Sequence, residues 1–186
     1  MKKFIYTIGL AVFSVILMAL APQESTKLIT KTGHINFFSH TEVEDISADN
    51  YQVSSTLEKT TGAIVVVAPM QSFEFEKAMM QKHYNSPKFL DTKQFPKAKF
   101  KGTISNLADI KFDNNGTYPA KVEGTLTMHG VSKEIMNEGS ITVKDGKVTV
   151  NTKMNIVLAD FNVVFESGKP STSIAKTVEA TINITY

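Results

Sequence analysis

In "GTLTMHGVSKEI", residues 124–135, His129, Lys133 and Glu134 stand close enough to form an acid–base site, a metal site or a plain solvated strand edge. Acid–base work needs the imidazole and its partner on the same side of the backbone. Gly130 interrupts the strand here, and the adjacent residues Lys133 and Glu134 point to opposite faces of any strand they share. A strand end with a bulge or turn at the glycine is the simpler reading. His34, His40 and His83 add little to it. On an extended strand His34 and His40 would lie about 20 Å apart, too far for one metal, and no carboxylate recurs at a ligand-like spacing. Neither a G-x-S-x-G elbow, a phosphate-binding glycine loop nor an H-E-x-x-H pair occurs. The residues therefore predict no catalytic centre, no metal and no cofactor.

The elements around this stretch are written in period two, the pattern of half-buried strands. In "AKVEGTLTMH" Ala120, Val122, Leu126 and Met128 share one face, while Lys121, Glu123, Thr125, Thr127 and His129 share the other. Asp145-Gly146 suits a two-residue type I′ turn, which would pair Val143 with Val148 and Ile141 with Val150. Met154, Ile156 and Leu158 continue that face. At the C-terminus Val178, Ala180, Ile182 and Ile184 alternate with Thr177, Glu179, Thr181 and Asn183. Further strands are expected over 27–38, 51–58, 62–68, 97–105, 107–113 and 160–166, with a turn at Asn114-Asn115-Gly116. One segment breaks the pattern: "SFEFEKAMMQKHYNSPKFLDTKQFP" predicts two short helices, the second opening at Ser86-Pro87. About eight or nine antiparallel strands with one apolar face make a closed sheet, with the helical insert across one mouth.

Composition narrows the class. The chain has 186 residues and 42% hydrophobic content, enough for one domain with a core. It has no cysteine, hence no disulfide, thiolate zinc site or cysteine nucleophile. All 20 basic residues are lysines, and the lack of arginine speaks against a phosphate or nucleic-acid reader. Lys2 and Lys3 ahead of the apolar run from Phe4 to Ala21 have the layout of a secretory signal peptide. The expected domains are thus a signal over 1–21 and a barrel over 22–186, located in the periplasm. Ala19-Leu20-Ala21 resembles a cleavage site, but Pro22 disfavours cutting there, so an uncleaved membrane anchor is the alternative. Removing 1–21 takes Lys2 and Lys3 from the total and leaves 18 basic against 18 acidic residues. A neutral domain is not built for steering toward a polyanion.

A barrel interior is either filled or used. The expected cavity lining is Phe37, Val66, Met79, Met80, Phe89, Phe100, Ile104, Leu126, Met128, Met154, Ile156, Phe161, Phe165 and Ile182. Core packing alone accounts for any one of them; methionines on a lid suit an adaptable apolar cavity.

The opening stretch also resembles the G-x-L-T-x-H-G-x-x-K segment of the YceI-like family of secreted lipid- and polyisoprenoid-binding proteins. "FPKAKFKGTI" (95–104) is similar to that family's Y/F-P-x-A-x-F strand opener, with Phe95 in place of the common tyrosine. "GHINFFSHT" and "MMQKHYNSPKFLDTKQFP" look like its first strand and helical segment, so the resemblance covers residues 27–186. It implies an all-β, eight-stranded, antiparallel, lipocalin-like barrel. An apolar tunnel would hold a polyisoprenoid, an isoprenoid quinone or a fatty amide, without catalysis. Thr127, His129, Gly130 and Lys133 match the motif as shapers of a strand and its turn. Carriers of this kind often pair, so a homodimer is a further expectation. A different class, an eight-stranded outer-membrane barrel, gains from the alternation running up to Tyr186 but lacks aromatic girdles. An enzyme working inside the same cavity would need polar groups on the apolar faces, and these are nearly absent.

Overall fold

The computed structural model describes residues 26–164 and 170–186. The strands are β1 (Lys27–His40), β2 (Asp45–Glu58), β3 (Ala63–Pro69), β4 (Glu74–Phe75), β5 (Lys97–Ile104), β6 (Gly116–Met128), β7 (Val131–Lys144), β8 (Lys147–Val157) and β9 (Thr177–Thr185). Two helices join them, α1 (Ala78–Tyr84) and α2 (Pro170–Ser173). Each strand pairs antiparallel with its neighbours, and β1 pairs with both β2 and β9. The sheet therefore closes into an eight-stranded up-and-down barrel, with β4 only a short stub on the edge of β2. Closure gives each of the eight barrel strands a partner on both sides over at least part of its length, which limits edge-to-edge aggregation.

The expected registers are present where alternation is regular. Val143 pairs with Val148 and Ile141 with Val150 around Asp145-Gly146, whose φ values of 52° and 79° are those of a type I′ turn. On β5, Ala98, Phe100 and Ile104 face the interior while Lys97, Lys99 and Lys101 are exposed. In β1 and β2 alternation is broken by facing bulges. Register shifts flank Gly33, which pairs with Val53. On β2 the buried set runs Ile46, Ala48, Asn50 and then Val53, Ser55, Leu57. That change of parity conceals β2 residues 45–50 from a period-two reading.

Three expected elements are absent. Residues 107–113 form no strand: Leu107–Asp109 is one turn of 3-10 helix, and Leu107, Ile110 and Phe112 fold across the end of the barrel as a plug. Asn106 sets this path by donating to Pro119 O (3.0 Å) and accepting from Lys121 N (2.8 Å). No helix opens at Ser86-Pro87 either. Ser86 Oγ instead donates to His83 O at 2.8 Å, closing the end of α1, and turns follow to Phe95. The expected strand at 160–166 is replaced by a 3-10 turn over Leu158–Phe161 that Asn162 ends at φ 58°; its last two residues lie outside the described ones. The signal segment 1–21 lies outside them too.

At the plugged end Tyr186 OH stands 2.6 Å from Ser55 Oγ, and Ser55 Oγ donates to Val65 O. Burial pushes the Tyr186 phenol up to about 12, with the Ser55 hydrogen bond opposing in part. A raised folded-state value means that the stabilisation is intact below the ordinary phenol value of 10 and is lost as pH rises through about 12. Tyr186→Phe is therefore expected to flatten the fall in melting temperature across that alkaline window. Equal slopes in the two proteins would refute it.

Candidate functional site

The barrel encloses a cavity of about 790 Å³. Its wall carries Phe37 from β1, Val66 from β3, Phe100 and Ile104 from β5, and Leu126 and Met128 from β6. Met154 and Ile156 from β8 and Ile182 from β9 complete the expected strand residues. Met79 and Met80 of α1 and Phe89 of the following loop reach it from the lid. Met79 is nonetheless 63% exposed, so it spans the rim rather than lying inside. Phe161 is a correction. Its side chain is buried in the core but does not line the cavity, because the 3-10 turn carries it outside the β8 face. Phe165 lies outside the described residues.

Sequence reasoning missed the aromatic lid. Phe73 and Phe75, in the period-two run "SFEFE", and Tyr84 on α1 meet Phe37 from β1 with ring centroids 5.8–6.3 Å apart, and Phe75 and Tyr84 meet each other at 4.9 Å. Such pairs contribute beyond their buried area. Burial raises the Tyr84 phenol far above its ordinary value, so it stays protonated at any physiological pH.

The wall is mostly apolar, but polar side chains also reach it, among them the exposed His83, Lys88 and Lys99; several of the others are committed to the protein. Ser39 Oγ accepts from Ala175 N at 2.9 Å, tying β1 to the segment after α2. Asn137 donates to Thr152 Oγ1 (2.6 Å) and Lys153 O (3.0 Å). At the rim Lys77 Nζ lies 3.1 Å from Glu44 Oε1.

The opening triad is dispersed. His129 is not on a polar strand face: with φ 49°, it and Gly130 (φ 76°) form the turn that joins β6 to β7, closed by the Met128–Val131 pair. Its Nδ1–H donates to Phe161 O at 2.9 Å, since a carbonyl can only accept. The Phe95 ring meets the imidazole edge-on at 4.7 Å, and a Cβ on Gly130 would sit 2.8 Å from that same ring. The H-G turn and the F-P strand opener are therefore two halves of one contact. Glu134 accepts from Thr125 Oγ1 on the outer face, and Lys133 is exposed. The other imidazole–carboxylate pairs, His34–Asp49 at 2.7 Å and His40–Asp45, belong to the outer surface and do not line the cavity.

His129→Ala is accordingly expected to cost about 1–2 kcal/mol, a lost hydrogen bond on a strained turn, and to remove no metal and no activity. Denaturation together with elemental analysis checks this; stoichiometric zinc or iron in the wild type, lost in the variant, would contradict it.

A closed antiparallel barrel with a mostly apolar interior and a helical lid defines a lipocalin-like β-barrel. The chain belongs to the YceI-like domain family, whose sequence pattern matches residues 26–186. Among solved structures it is similar to a polyisoprenoid binding domain from Saccharophagus degradans implicated in plant cell wall breakdown. That likeness has a TM-score of 0.73 at 16% identity, over 88% of this chain and 98% of the other. It is also similar to Burkholderia cenocepacia BcnA (TM-score 0.68, 17% identity, 83% and 96% covered). A third likeness is to the Campylobacter jejuni YCEI protein (TM-score 0.53, 19% identity, 100% and 98% covered). Comparison with curated proteins gives no match. At these identities the solved structures establish the fold.

Proposed function

We propose that the protein is a non-catalytic carrier or sink for an apolar, chain-like lipid of polyisoprenoid, isoprenoid-quinone or fatty-amide type, held in the barrel. The carrying observation is the cavity of about 790 Å³ whose wall is made mostly of aliphatic, methionine and phenylalanine side chains. Hydrocarbon burial contributes about 0.8 kcal/mol per methylene, so about ten buried carbons give about 8 kcal/mol before ordering costs, enough for micromolar binding. The resemblance to a domain described as polyisoprenoid binding points the same way. The wall is mostly apolar, and its polar residues Ser39, Asn137, Asn151 and Thr152 are hydrogen-bonded to the protein, which favours binding over catalysis.

The outward face argues for a protein that works in water. Thr117 and Thr142, and Thr149 and Thr185, hydrogen-bond across neighbouring strands outside, beside the lysines of β5. A membrane-spanning barrel needs an outward apolar band there. Residues 1–21 would export the chain to the periplasm, and mass analysis of the N-terminus in the periplasmic fraction tests this. Recovery of the full-length chain with membranes would favour the retained anchor.

Fluorescence titration of the mature protein with cis-parinaric acid, followed by competition with geranylgeraniol, tests the carrier reading. Saturable micromolar binding, displaced by the isoprenoid, is expected. Absence of both would overturn it.

A further inference from the structure

The wall of the barrel parts on one side. β7 and β8 pair from Lys144–Lys147 up to Gly139–Thr152 and no further, although both strands continue toward the lid. Beyond that point Val131–Glu138 pair only with β6, and Lys153–Val157 only with β9. Among the described residues the gap has two clasps. At its lower end Asn137 donates to Thr152 Oγ1 and Lys153 O, and Thr152 Oγ1 donates to Glu138 O. At its upper end His129 Nδ1–H donates to Phe161 O, joining the β6–β7 turn to the segment that follows β8. Between the clasps the two strands share no ladder hydrogen bond among the described residues. Asn137, Thr152, Met154 and Ile156 line the cavity at this side of the barrel.

The lid is built differently. Phe37, Phe73, Phe75 and Tyr84 interlock over that end, and Gln81 fixes α1 by donating to Phe73 O (2.7 Å) and accepting from Phe75 N (3.1 Å). Lifting α1 would expose these rings and break those bonds. Widening the gap breaks no ladder, because none is made there. Among the described residues, what resists it is the side-chain clasps and the packing of Val131 and Ile135 into the apolar cluster they share with Met154 and Ile156, and low local stability is what a moving element requires.

We propose that the gap between β7 and β8 is the passage through which the apolar chain enters and leaves the cavity, the aromatic lid staying shut. This rests on the carrier reading, and it gives the His129 turn a task in addition to shaping the strand: it bounds the passage.

The chain has no cysteine, so cross-links can be placed without background. Continuing the Gly139–Thr152 register would set Met136 opposite Asn155, both on the outer face and away from the cavity. Met136→Cys/Asn155→Cys, bridged with a disulfide-containing bismaleimide, locks the passage. Ser47→Cys/Glu76→Cys, bridged in the same way beside the Ala48–Phe75 pair, locks the lid onto β2. Each variant is loaded with cis-parinaric acid, and release into excess phosphatidylcholine vesicles is timed before and after the bridge is reduced. The passage lock is expected to slow release at least tenfold, and the lid lock to change it less than twofold. No slowing by the passage lock, or equal or greater slowing by the lid lock, overturns the passage while leaving the carrier reading intact. A wild-type protein that takes up no probe overturns both.

Discussion

Leu126→Lys is expected to lower stability by about 3–5 kcal/mol and to abolish uptake of an apolar chain. Leu126 is 8% exposed, pairs with Phe100 on β5 and lines the cavity. An ammonium there meets no carboxylate along its strand neighbours and must lose its proton or unfold the wall, the penalty of an uncompensated buried charge. For a domain of this size that corresponds to a fall of roughly 6–20 °C in melting temperature. Leu126→Phe separates a cavity from a filled core. Overpacking a full interior typically costs about 1–3 kcal/mol. With about 790 Å³ of space beside it, the phenyl ring should cost less than that and displace ligand instead. Thermal melts read beside probe titrations decide the point; a large stability loss with no binding in either protein would mean a packed barrel.

Gly124→Ala is expected to be the most damaging alanine substitution among the described glycines, at about 3 kcal/mol or more. Gly124 on β6 pairs with Gly102 on β5, and a Cβ on Gly124 would lie 2.3 Å from Lys101 O and 2.4 Å from Gly102 Cα. Those are backbone atoms, which cannot swing aside. The paired glycines also leave room for the Phe100 ring, which lies across Gly102 within 2.5 Å of where its Cβ would be. Gly146→Ala is the control. It has φ 79° and nothing within 4 Å of its would-be Cβ, so only the left-handed backbone is strained, about 1–2 kcal/mol. Urea midpoints at unchanged slope should rank Gly124→Ala well below Gly146→Ala; equal midpoints would refute the close approach.

The regular half of the barrel was legible because each strand there carries one apolar face without interruption. β5, β6 and β7–β8 alternate cleanly, and the Asp145-Gly146 turn fixes its own register. Alternation says nothing where a bulge changes parity, which is why β2 residues 45–50 were hidden behind the Asn50–Val53 step. Leu107, Ile110 and Phe112 read as a strand by composition, yet they close the barrel end, because a barrel's ends also need apolar cover. Ser86-Pro87 carries a helix-start signature, but Ser86 Oγ is taken by His83 O. For the site, the strand positions followed from the face assignments. Phe161 did not, since a 3-10 turn changes which way a side chain points. The lid cluster was missed because Phe37, Phe73, Phe75 and Tyr84 are brought together only by tertiary structure. Nothing in the alternation marks the end of β6, so His129 reads as a strand residue, whereas its φ of 49° places it in the turn.

Native mass spectrometry of the mature protein purified without detergent, followed by organic extraction and identification of what is released, tests the carrier reading most directly. A mass excess of one apolar, chain-like lipid per barrel, recovered intact in the extract and absent from Leu126→Phe, is the expected result. A protein of bare polypeptide mass that yields no lipid, and whose mass does not change after incubation with isoprenoid or fatty-amide vesicles, would contradict it.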